Sequence, residues 1–138
     1  MVIETSVGID RTCLALLCSS YVEERLPDGE TRTLLRLPAA LAPIQVALLP
    51  LAKKLAEPTL RLAGDLRRRL AVFYDEAGNI GRRYRRQDEV GTPFCVTYDF
   101  ESETDGRVTV RERDSMAQER VPAEGLLSYL RDRLEGSR

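Results

Sequence analysis

Residues 79–100 read NIGRRYRRQDEVGTPFCVTYDF, and two periodicities meet inside them. Asn79 is a good helix cap and Gly91 a good helix stop, with Ile80 and Tyr84 one turn apart on one face. After Gly-Thr-Pro the pattern alternates, which puts Phe94, Val96, Tyr98 and Phe100 on one side of a strand. A helix that runs into a strand asks for a strand before it, and LAVFY, 70–74, reads as one. Farther upstream, APIQVALLPL is a short apolar run bounded by prolines, the mark of a buried parallel strand. EPTLRLAGDLRRRL between them reads as a helix, with Pro58 at its first position and Leu60, Ala63, Leu66 and Leu70 as its apolar stripe.

Downstream, ETDG reads as a hairpin turn and RVTVRER as a strand, with Val108 and Val110 inward and Arg107, Arg111 and Arg113 outward. SMAQERV is a fifth strand, and Pro122 opens a last helix with Leu126, Leu130 and Leu134 on one side. Right-handed crossovers then give an α/β domain of three layers, a mixed and roughly five-stranded sheet flanked by helices. The order predicts a domain over 42–138. Residues 24–41, with a Pro-Asp-Gly turn, read as a connection with an extended piece at TLLRL. Residues 1–23 read as a strand end, a Gly turn and a helix capped by Asp10, with Leu14, Leu17 and Tyr21 at helical spacing. That helix is apolar almost all round, so it expects a cover.

Composition narrows the chemistry. The chain has 138 residues, enough for one domain without disulfide support. Its three cysteines, Cys13, Cys18 and Cys95, have no CxxC spacing and read as reduced, mostly buried thiols of a cytosolic protein. The sequence contains no histidine, which excludes imidazole base catalysis and His-ligated metals. No apolar run nears the roughly 20 residues that span a bilayer, and the first residues lack the order of a secretion signal.

Net charge is −1, yet residues 61–86 hold eight arginines against Asp65, Asp75 and Glu76. A basic patch on a nearly neutral chain points to a local polyanion site. Arg82, Arg83, Arg85 and Arg86 span five positions of one helix, so they spread round most of its circumference and cannot all meet one phosphate. Some should pair with Asp88 or Glu89 one turn on. The helix follows a parallel strand, which brings its positive end to the carboxyl edge of the sheet, where ligands of such folds gather. Thr97, Asp99, Arg111 and Arg113 are the candidates for reading base edges. From the residues alone, this is an RNA- or nucleotide-binding α/β domain.

GNIGRRYRRQDEVGTPFCVTYDF together with TVRERDSMAQERVP resembles the C-terminal anticodon-binding domain of glycyl-tRNA synthetases of the eukaryotic and archaeal type, and LRLPAALAPIQVALLPL resembles the stretch that leads into it. VIETSVGIDRTCLALL resembles motif 3 of the class II synthetase catalytic core. Position 5 is Thr where the family has Pro, and LRLPAAL lacks the family's His-Pro pair. The resemblance implies that Glu4 and Ser6 hold the amino group of glycine and that Arg11 contacts ATP. A carboxylate suits an ammonium, and an always-charged planar guanidinium suits a triphosphate and an adenine.

It further implies a glycine-specific tRNA as partner, bound through the arginine helix and the strands, cytoplasmic protein synthesis as the setting, and ATP with Mg as a need of an intact catalytic core only. No cofactor, metal, membrane or DNA is expected for the isolated chain. Motifs 1 and 2 of such a core are not in the sequence, so catalysis by this chain alone is not expected. The bare helix at 12–21 predicts self-association or contact with a catalytic-core chain. The alternative is a free-standing accessory or protein-interaction subunit without catalysis.

Overall fold

The computed structural model describes residues 5–136. Helix α1 (Ile9–Ser20) is followed by an antiparallel hairpin, β1 (Tyr21–Arg25) and β2 (Thr31–Leu35). The domain proper then runs β3 (Val46–Pro50), α2 (Ala56–Arg67), β4 (Val72–Tyr74), α3 (Ile80–Val90), β5 (Phe94–Tyr98), a single-turn α4 (Ser102–Asp105), β6 (Arg107–Glu112), β7 (Gln118–Pro122) and α5 (Leu126–Gly136). The main sheet has the order β4-β3-β5-β6-β7, the first three strands parallel and the last two antiparallel. This is the mixed five-stranded sheet between helices that the periodicities predict.

From β3 the chain crosses outward to β4 through α2, then returns past β3 to β5 through α3. Two right-handed crossovers in opposite directions must lay their helices on opposite faces. The faces differ in chemistry. On one, Ala63 and Leu66 of α2 and Leu126, Leu130 and Leu134 of α5 pack on Val46, Leu48, Phe94, Val96, Val108, Val110 and Val121. On the other, only Ala47, Leu49 and Cys95 form an apolar patch, covered by Ile80 and Tyr84 of α3. Strand β2 packs beside α3 on that side.

Several local expectations are corrected. Asp10 does not cap α1: Gly8 occupies the cap and Asp10 lies in the first turn. Tyr21 leaves the helix to begin β1, and the segment read as a connection contains the β1–β2 hairpin, turning at Gly29 with φ of 86°. Pro58 is the third residue of α2, and Leu60 is exposed because Thr59, Ala63 and Leu66 form the inward stripe. ETDG does join β5 to the antiparallel β6, but through the single-turn α4 capped by Gly106 and not through a tight turn. Phe100 lies past the end of β5 and is 46% exposed. Cys13 and Cys18 are exposed on α1, and only Cys95 is buried. Leu14 and Leu17 of α1 are exposed too, as a helix without a cover should be. No described helix is long and apolar enough to cross a membrane.

Asn79 and Gly91 bound α3 as expected. The Asn79 side chain accepts from the Arg82 N–H at 2.8 Å, and Gly91 stops the helix at φ 87°. A Cβ on Gly91 would stand 3.0 Å from both the Leu35 carbonyl oxygen and a Leu37 methyl. Position 91 therefore needs glycine twice, for its left-handed backbone and for the close approach of the hairpin's exit. Gly91→Ala is expected to lower stability by about 1–3 kcal/mol, measured by urea unfolding, with a shift in midpoint and little change in slope.

Candidate nucleic-acid interface

The arginines divide by what each one touches. Asp88, in the third turn of α3, is 2% exposed and stands between two guanidinium groups. Arg32 of β2 donates Nε–H to its Oδ2 at 2.8 Å, and Arg111 of β6 donates to Oδ1 and Oδ2 at 3.0 and 3.2 Å. Arg32 also donates to Glu24 and to the Arg113 carbonyl. Arg111 lies over the Tyr84 ring, 4.8 Å from its centre, and the Tyr84 hydroxyl meets Thr97 Oγ1 at 2.6 Å. Burial pushes the Tyr84 hydroxyl above its ordinary pKa, so it stays a neutral hydrogen-bonding partner. This ionic knot fills the sheet face that has few apolar side chains.

Arg113 donates to the Leu37 carbonyl at 3.0 Å, the Gly91 carbonyl at 2.8 Å and the Asp114 carboxylate. It seals the C-terminal end of α3 against the chain leaving the hairpin. The expectation that Arg111 and Arg113 point outward is corrected: they are 6% and 5% exposed. The alternation that sends Val108 and Val110 toward α5 sends Arg111 to the other face, and that face is covered.

Within the arginine helix the four side chains go four ways. Arg82 is exposed, with no hydrogen bond or ion pair of its guanidinium among the described residues. Arg83 is buried and donates to the Gly78 and Pro50 carbonyls. Arg85 pairs with Glu30 in the hairpin turn. Arg86 donates to Asp75, at 3.0 Å from Nε, and to the Ala77 carbonyl. None of them meets Asp88 or Glu89. Neighbours along a helix are outcompeted here by partners that the fold brings closer.

The reason for Arg83 lies in the sheet. The Leu48 carbonyl accepts from Asp75 N–H on the β4 side, and Pro50, two residues on, aims its carbonyl the same way. Strand β4 ends at Tyr74, so that carbonyl has no strand partner, and Arg83 supplies one.

Asp99 follows β5 at the same edge. Burial works to raise its pKa, but hydrogen bonds from Arg120 and Ser102 prevail and hold it below the ordinary 3.8. Thr109 also approaches it, at 3.3 Å. Asp99 and Thr97 thus already have protein partners, although Asp99 keeps partial exposure.

Two clefts of similar volume open at opposite edges of the sheet. One, of about 380 Å³, lies at the amino edge between Gln45, Leu70 and the end of α5. The other, of about 370 Å³, lies at the carboxyl edge and is lined by Pro50, Leu51, Ala52, Lys53, Glu76, Gly78 and Arg83. The second lies between the chain leaving β3 and the loop that runs from β4 into α3, on the edge where ligands of such sheets gather. Lys54 places its ammonium 4.5 Å from the centre of the exposed Phe100 ring beside it. Sequence reading misses Lys53, Lys54 and Phe100. The signal for them is a Lys-Lys pair just past a parallel strand's carboxyl end. Ser6 and Arg11 are exposed at the start of the chain and on α1, remote in sequence from this edge, and Glu4 lies outside the described residues.

A family model described as an anticodon binding domain matches residues 45–133. The glycine–tRNA ligase of Lachnoclostridium phytofermentans is 52% identical over 134 residues, which covers 97% of this chain and 29% of that protein. That of Geobacillus kaustophilus is 54% identical over 132 residues, covering 96% and 29%. The chain thus spans under a third of the length of the curated relatives it matches. Among solved structures, the RNA binding domain of threonyl-tRNA synthetase from Cryptosporidium parvum superposes with a TM-score of 0.65 at 25% identity, over 70% of this chain and 25% of that one.

Two outcomes follow from the geometry. Asp88→Ala leaves Arg32 and Arg111 buried without their shared counter-ion and is expected to cost about 3–5 kcal/mol, seen as a lower midpoint in chemical unfolding. Asp99, with its pKa lower folded than unfolded, stabilises the fold above about pH 4 and ceases to do so as pH falls through its folded value. Arg120→Ala should raise the Asp99 midpoint in a carboxyl NMR titration and start acid unfolding at a higher pH.

Proposed function

The chain belongs to the anticodon binding domain family, and on that premise we propose that it binds the anticodon arm of a glycine-specific tRNA at the carboxyl edge of its sheet. The observation that carries this reading is that the carboxyl edge presents the exposed cations Lys53, Lys54 and Arg82 and an exposed ring, Phe100, with Lys54 over that ring. Unpaired anticodon bases stack on aromatic side chains, while cations nearby take the backbone. In this reading Arg82 faces the RNA outright. Arg85 and Arg86 lie at the rim, held by Glu30 and Asp75 until a phosphate competes. Asp99 is the polar group offered to base edges beside Phe100, while Thr97, 5% exposed and hydrogen-bonded to Tyr84, is covered. Arg111 and Arg113 act from beneath, by holding α3 and β6 in place.

For a whole protein of this lineage we propose ATP-dependent attachment of glycine to tRNA in the cytoplasm. Glu4 and Ser6 would then contribute to the glycine pocket and Arg11 to the ATP site, together with residues this chain does not contain. ATP would bring Mg with it. The exposed Ile9, Leu14 and Leu17 of α1 are proposed to pack against that catalytic body. That the relatives are glycine–tRNA ligases supports this over an accessory subunit.

The test is a titration with a glycine-tRNA anticodon stem-loop and an anticodon-mutated control at two salt concentrations. Tighter binding to the glycine sequence is expected. Arg82→Ala should weaken both RNAs alike and reduce the salt slope by about one. Phe100→Ala should cost about 1–3 kcal/mol of affinity. Equal affinity for both RNAs in the unmodified chain would reduce the site to a nonspecific basic patch.

A further inference from the structure

Four arginines are buried among the described residues: Arg32, Arg83, Arg111 and Arg113. Three of them hold a carboxylate: Arg32 and Arg111 share Asp88, and Arg113 has Asp114. Arg83, 5% exposed, has none and donates only to main-chain carbonyls. The two carboxylates in its vicinity are engaged elsewhere. Asp75 feels the Arg83 charge but accepts from Arg86 at 3.0 Å, and Glu76 accepts the Tyr74 hydroxyl at 2.7 Å. A buried cation without a counter-ion is costly, and an anion that reaches it relieves that cost. A guanidinium carries five N–H groups, and three are used here, which leaves two to donate. Arg83 lines the carboxyl-edge cleft, and Lys53 lines the same cleft with an exposed ammonium.

We propose that Arg83 and Lys53 together seat one backbone phosphate of the bound RNA in this cleft. The proposal rests on the RNA-binding reading and adds to it a contact that carries no sequence information. Lys53 and Lys54 belong to one short helical turn, Lys53–Leu55. Lys54 covers Phe100 from that turn, so the phosphate seat and the ring flank the same few residues. The seat therefore sets the register of the strand, and the ring takes a base.

The experiment uses the full chain with the glycine-tRNA anticodon stem-loop and a set of stem-loops in which single loop phosphates are replaced by uncharged methylphosphonates. One position is expected to cost the unmodified chain about tenfold in affinity. At that position Lys53→Gln should lose little more, because the contact is already gone. Lys53→Gln should also weaken glycine and mutated-anticodon stem-loops equally and lower the salt slope by about one. Arg83 braces Pro50, so Lys53→Gln carries the test, with an unfolding curve to show that it folds as the unmodified chain does.

Losses at Lys53 and at the phosphate that simply add, or a loss spread evenly over all positions, would overturn the seat and leave RNA binding standing. No binding of any stem-loop by the unmodified chain would overturn both. Binding of millimolar pyrophosphate that Lys53→Gln abolishes and that leaves the stem-loop bound would assign the cleft to a free phosphate compound and overturn the RNA assignment.

Discussion

The buried carboxylate of Asp88 is the constraint on which the rest of this structure depends. It joins three elements far apart in sequence: β2 through Arg32, α3 on which it stands, and β6 through Arg111. The sheet face beneath has too little apolar surface to hold a helix by burial alone, since only Ala47, Leu49 and Cys95 are packed there. Paired charges substitute for it. Such pairs add less net stability than a well-packed apolar core of the same volume, but they are directional. A guanidinium accepts one geometry, and so α3 and the hairpin have one place to sit.

That choice explains why a nearly neutral chain gathers so many arginines. Much of the positive charge is structural. Arg83 and Arg113 close the two ends of α3 by donating to carbonyls that the sheet and the helix leave unpaired. Arg85 and Arg86 fasten the helix to the hairpin turn and to the loop after β4. Of the exposed cations that carry no carboxylate partner among the described residues, Arg82, Lys53 and Lys54 stand on the carboxyl edge, whereas Arg67, Arg68 and Arg69 stand at the end of α2 toward the opposite edge. A fold that depends on arginine thus fastens helix, hairpin and strand ends to one another beside the edge where RNA binding is proposed. Elements fastened in advance lower the ordering cost of association.

The comparison between sequence and structure follows the range of the forces involved. Periodicity placed β3, α2, β4, α3, β5, β6, β7 and α5, because a strand or a helix needs its apolar residues at a fixed spacing wherever it packs. Asn79 and Gly91 were legible for the same reason, since their partners lie within a turn. Capping at Asp10 was misread because several residues in that stretch can serve as a cap, and the backbone uses Gly8. The hairpin at 21–35 was half visible, through its Pro-Asp-Gly turn and one extended piece. Its docking was not, because the partner of Arg32 lies 56 residues away.

By itself, then, the sequence determined the α/β class, the order and ends of most elements, the resemblance to anticodon-binding domains and the presence of a basic helix behind a parallel strand. Only the tertiary structure decided which cations are free. An alternating strand tells that Arg111 and Val110 point opposite ways, but not that both faces are covered. It took the packing of the hairpin and α3 to bury Arg111 and Arg113, and the short β4 to leave the Pro50 carbonyl for Arg83. It took the end of β5 to expose Phe100 beside Lys54. The physical reason is common to all of them. Burial and charge pairing depend on neighbours brought together by the fold, and one stretch of chain does not contain its own neighbours.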